Sequence, residues 1–75
     1  MEIFATIIAT EEQKMAFETD LARNNILLKV MTPDVGDEYH YSLEGDWNGY
    51  EELSKRTGVY SGDRYTITSL EHSAE

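Results

Sequence analysis

Seventy-five residues leave room for one domain, residues 1–75, and so small a domain buries only about 60% of the surface its unfolded chain exposes, which argues against a large enclosed active site. The absence of cysteine excludes disulfides, thiolate metal ligands and a cysteine nucleophile together, and a reducing cytoplasm is compatible with it. Fifteen Asp plus Glu against six Lys plus Arg give a net charge of −9, which opposes direct binding to nucleic acid or to an anionic membrane and makes a basic partner the better expectation.

No apolar run approaches the roughly 20 residues that cross a bilayer, and no basic segment precedes a run of signal-peptide length, so a soluble, unprocessed chain is expected. With 40% apolar residues in periodic patterns, the chain can form a core.

Residues 2 to 9 (Glu-Ile-Phe-Ala-Thr-Ile-Ile-Ala) are apolar on both alternation faces and read as a central strand. Thr10 and Gln13 have the spacing of a capping box, and a helix from Glu11 to about Arg23 follows, with acids at its start, Arg23 at its end and Asn24-Asn25 as a left-handed stop. Phe17 and Leu21 share its apolar face with Ala16 beside them; Met15 and Ala22 lie around the other side, so one of the two sets stays partly exposed.

Ile26 to Thr32 is a second strand, with Ile26, Leu28 and Val30 on one face and Leu27, Lys29 and Met31 on the other. A turn over 33–37 leads into a half-buried strand from Glu38 to Leu43, in which Tyr39, Tyr41 and Leu43 alternate with Glu38, His40 and Ser42. A second helix is expected from about Gly49 to Thr57, capped by Asp46 or Asn48 at its start and Gly58 at its end, with Glu51–Lys55 and Glu52–Arg56 pairs along it. After a turn at Ser61-Gly62-Asp63, a fourth strand runs from Arg64 to Leu70, and His72 to Glu75 form a polar end.

The order β α β β α β implies an α+β, ferredoxin-like sandwich: a four-stranded antiparallel sheet with both helices on one face and the first and third strands in its centre. The expected core is Ile3, Ile7, Leu21, Ile26, Leu28, Tyr41, Leu53 and Ile67. If Ile3, Ala5 and Ile7 face the helices, then Phe4, Ile8, Leu27 and Met31 form an apolar patch on the uncovered face, which a second copy or a partner would cover.

Glu38, His40 and Ser42 have the residue types of a hydrolytic triad, but alternate strand positions lie about 6.5 Å apart, so a polar strand face is the better reading and no catalytic residue is assigned. His40 and His72 are the two histidines, and no metal site is assigned to them. Asp46 to Glu51 superficially resembles a calcium loop, but Tyr50, Glu51 and Thr57 stand where such a loop needs an oxygen ligand, a glycine and a glutamate. The five glycines form no nucleotide fingerprint, the RNA-binding sheet motif is missing, and no cofactor is expected.

The stretch 34–52 holds seven carboxylates, no Lys or Arg, and half of the eight aromatics. Asp37, Glu38, Glu44, Asp46, Glu51 and Glu52, with Trp47 as anchor, are the candidate partner-binding residues; the plainer alternatives are acidity for solubility alone, with Trp47 as a staple and Tyr50 as a core anchor of the second helix. The expectation is a non-enzymatic acidic module that occupies the nucleic-acid-binding surface of a basic protein by phosphate mimicry. In size, charge and lack of catalytic motifs the chain is similar to small phage-encoded inhibitors of host defence of the anti-CRISPR or anti-restriction type. The rivals are a homodimeric ferredoxin-like module for a small ligand or for regulation, and a small enzyme using His40.

Overall fold

The computed structural model describes residues 1–56 and 65–73. Its elements are β1 (Glu2–Ile8), α1 (Glu11–Arg23), β2 (Leu27–Pro33), β3 (Glu38–Glu44), α2 (Trp47–Ser54) and β4 (Thr66–His72). The sheet order is β2-β3-β1-β4, antiparallel throughout, with β1 and β3 central, as the α+β ferredoxin-like topology requires. The expected cap at Gly58, the turn 61–63 and Arg64 lie outside the described residues.

α1 begins and ends where its caps place it. Thr10 Oγ1 accepts from the Gln13 N–H while Gln13 Oε1 accepts from the Thr10 N–H, and Asn25 takes the left-handed conformation at φ 59°. α2 starts two residues earlier than its apolar spacing suggests, because the Asp46 carboxylate accepts from the Gly49 N–H and brings Trp47 and Asn48 into the first turn. It ends at Ser54 with Lys55 as its C-cap, short of the expected Thr57, and Lys55 pairs with Glu52 at 3.1 Å rather than with Glu51.

Ile3, Ala5, Ile7, Tyr41, Leu43 and Ile67 project from the sheet toward Phe17 and Leu21 of α1 and Leu53 of α2, and all are buried. Leu28 is the one residue of the expected core that is only partly covered. Phe17 makes edge-on contacts with Tyr41 and Tyr65 at 4.9 and 5.0 Å between ring centres. The two phenols donate back to the same helix, Tyr41 to Glu18 at 2.9 Å and Tyr65 to the buried Asp20 at 2.7 Å. Of the two sets on α1, Met15 and Ala22 are the exposed one.

Both outer strands depart from strict alternation. In β2 the register shifts between Leu28 and Val30, so Lys29 is an extra residue, and in β4 a corresponding shift falls at Thr68. The bulge corrects the expected placement of Met31: Val30 pairs with Ser42 on the uncovered face, while Met31 pairs with Tyr41 and packs against the core. The displaced Lys29 reaches Glu2 at 3.0 Å.

Gly49 is buried where α2 meets the end of α1, and a Cβ there would stand 2.8 Å from Ile26 Cγ1. Gly49→Ala therefore loses more to the clash, ~1–3 kcal/mol, than it gains from helix propensity, about 1 kcal/mol, and the denaturation midpoint should fall with an unchanged slope. Burial, reinforced by the neighbouring Glu18 carboxylate, pushes the Tyr41 phenol well above its usual value of 10.0. Because the folded-state value is raised, the stabilisation is complete below pH 10.0 and is lost as pH rises through the folded-state value. In an alkaline titration, part of the phenolate absorbance should develop only together with loss of the far-UV circular dichroism signal, and Tyr41→Phe should reduce that late fraction.

Candidate functional site

The uncovered face of the sheet is ordered in transverse rows set by the register. Leu27, Glu44 and Glu2 form the first; Val30, Ser42, Phe4 and Glu71 the second; Thr32, His40, Thr6 and Ser69 the third; Glu38, Ile8 and Thr66 the fourth. Phe4, Ile8 and Leu27 are exposed, as is Val30. They do not form a continuous apolar patch, since Ser42 separates Phe4 from Val30, Thr6 separates Phe4 from Ile8, and Met31 lies on the other side. Across the middle rows runs an open cavity of ≈ 330 Å³ lined by Phe4, Val30, Thr6, His40, Ser42 and Glu71, among others.

The candidate acidic residues divide between the two ends of β3. Asp37 and Glu38 lie at the β2–β3 hairpin, while Glu44 closes the other end of β3, about 20 Å along the strand, and Asp46 lies just beyond it. The hairpin end also receives Glu11 and Glu12, because the Ala9 N–H donates to the Asp37 carbonyl at 2.9 Å immediately before α1 begins. Sequence reasoning assigned those two glutamates only to the helix dipole.

At the other end several acids are already engaged. Glu44 pairs with the Met1 ammonium at 3.1 Å, Asp46 caps α2, and Glu52 pairs with Lys55. Glu51, like Glu11, Glu12, Asp37 and Glu71, is exposed without an ion-pair partner among the described residues.

Trp47 is 53% exposed. Its ring stacks on Tyr50 at 5.4 Å and meets the His72 ring edge-on at 5.2 Å, while Tyr50 and His72 are themselves 4.6 Å apart. The three rings form a braced ledge, with Asp46 at its edge and Glu51 one residue beyond Tyr50. His72 was missed as a member; it sits opposite Ile3 on the helix side of β4, and the β4 bulge that sets this end of the pairing has no signature in residue type.

His40 does not engage Ser42. Its Nδ1 lies 3.1 Å from Thr6 Oγ1 and its Nε2 2.9 Å from Asp34 Oδ2 and 3.8 Å from Glu38 Oε1. Hydrogen bonding to His40, with a further bond from the Val35 N–H, holds the Asp34 carboxyl below its usual value. Serine activation by His40 thus finds no support in this geometry.

No protein-family model matches the chain, and no curated protein or solved structure matches it. Among the described residues, no helix is long and apolar enough to cross a membrane.

Trp47 is the single tryptophan, so fluorescence reports the ledge alone. Acrylamide should quench it in the folded state, and Tyr50→Ala, which removes the stacked support, should raise the quenching constant without shifting the far-UV spectrum.

Proposed function

We propose that the protein is a non-enzymatic acidic protein-binding module, an inhibitor that occupies the basic nucleic-acid-binding surface of a partner as a nucleic-acid mimic of the anti-CRISPR or anti-restriction type. The observation that carries this reading is Trp47, the largest apolar side chain, held outward on Tyr50 and His72 instead of being buried as a staple. Tryptophan at the centre of an interface contributes more affinity than almost any other residue, and a braced ring loses little freedom on binding.

The electrostatics supports the same reading. Lys14, Lys29 and Lys55 are each bound to a carboxylate of this chain, so they form no cationic patch, while exposed unpaired carboxylates remain at both ends of the sheet. Such a surface attracts Lys and Arg clusters that otherwise hold phosphates.

A second reading, a homodimeric small-ligand or regulatory module, is favoured by the cavity on the uncovered face. It requires a dimer in solution, which sedimentation decides.

The test of the first reading is capture of partners on the immobilised protein, followed by elution with duplex DNA and by salt. The partner should be a nucleic-acid-binding protein that DNA displaces, and its affinity should fall with added salt, since exposed charges are screened beyond about 8 Å at physiological ionic strength. Glu44→Lys with Glu51→Lys should slow association, and Trp47→Ala should speed dissociation. Asp46→Asn is the informative change at the capping position, because it removes the charge and keeps the oxygen that accepts from Gly49. Binding that DNA does not displace, and that survives both salt and the double reversal, overturns the reading.

A further inference from the structure

We propose that Asp34, Glu38 and His40 form a binding site for a divalent transition-metal ion of the Zn2+ type at the base of the β2–β3 hairpin. One ligand atom from each residue lies within 4.8 Å of the other two. A metal bound at about 2.0–2.2 Å to nitrogen and oxygen holds neighbouring donors about 3.0–3.5 Å apart. The separations of His40 Nε2 from Asp34 Oδ2 and Glu38 Oε1, 2.9 and 3.8 Å, bracket that range, so small side-chain rotations suffice to admit the ion.

The surroundings favour a cation over a bare ion pair. Two carboxylates face one imidazole, and neither carboxylate has a Lys or Arg partner among the described residues, so protonation of His40 still leaves a surplus negative charge. The Val35 N–H donates to Asp34 Oδ1, which leaves Oδ2 directed at His40, and the Asp34 N–H bonds the Glu38 carbonyl across the turn. Thr6 Oγ1 stands at the other imidazole nitrogen. With Nδ1–H donating to that hydroxyl, the metal ion takes the place of the Nε2 proton that bridges to Asp34 in the metal-free protein and releases that proton to solvent, the outer-sphere arrangement that fixes a metal-binding histidine. An imidazole in the donor set favours Zn2+ over Mg2+ or Ca2+, and the exposure of all three side chains leaves the remaining coordination positions open to water. This site is separate from the Trp47 ledge and does not rest on the inhibitor reading.

Calorimetric titration of the full chain with ZnCl2, with MgCl2 as comparison, tests the proposal. One equivalent of Zn2+ should bind, with no comparable uptake of Mg2+, and nitrogen NMR should show the His40 Nε2 resonance moving. His40→Gln and Asp34→Asn should abolish binding. Thr6→Val should weaken it about tenfold with all three ligands intact, and Thr6→Ser should restore it. His72→Ala and Glu71→Gln, which alter the other histidine and a neighbouring acid, should leave it unchanged. Absence of Zn2+ uptake, equal uptake of Mg2+, or binding that persists in a correctly folded His40→Gln protein overturns the proposal.

Discussion

One turn of α1 ties the helix to the sheet in two ways at once. Phe17 fills the space between Tyr41 of β3 and Tyr65 just before β4, while Glu18 and Asp20, which follow it on the same turn, receive the hydroxyls of those two tyrosines. Each edge-on aromatic pair adds about 0.5–1.5 kcal/mol beyond its buried area, and a hydrogen bond to a charged group contributes about 1.5–3 kcal/mol. In a domain of this size such terms are large beside the net stability. They also fix spacing: each tyrosine is held at both its ring and its hydroxyl by the same turn of α1, so the helix is held at one distance and one rotation over the two strands.

That arrangement was partly legible in the sequence. The Phe17 and Leu21 stripe, the Thr10–Gln13 cap, the Asn24-Asn25 stop and the two central strands all follow from local spacing and side-chain chemistry, and the structure has them. Asp20 was readable in hindsight, since it shares the helix face of Phe17 and Leu21 and a carboxylate there needs a donor. The bulges were not readable. Lys29 and Thr68 are ordinary strand residues, and only pairing against β3 and β1 shows that each is extra, which is why Val30 and Met31 exchange faces.

The candidate site was legible as a composition and not as a place. A run of seven carboxylates in nineteen residues looks continuous along the chain, but an extended strand of seven residues through its middle carries the two groups to opposite ends of the molecule. Folding then spends several of the charges internally, on the Met1 ammonium, the α2 cap and His40. What remains is a molecule with two acidic poles, one beside an aromatic ledge and one around a histidine, and these poles can be engaged separately.

The bulges at Lys29 and Thr68 have a consequence for how any other chain can approach. β2 and β4 are the sheet's outer strands, and each has its hydrogen-bonding ladder interrupted midway; β2 also ends in Pro33, which lacks an N–H. A peptide seeking to extend the sheet needs a straight run of unpaired donors and acceptors, and neither margin offers one. Interrupted margins deny register to self-assembly as well, so in a small domain with β-branched strands and no disulfides two inserted residues work against fibrous stacking, and another chain would meet the side chains at the poles and on the faces rather than the backbone ladder.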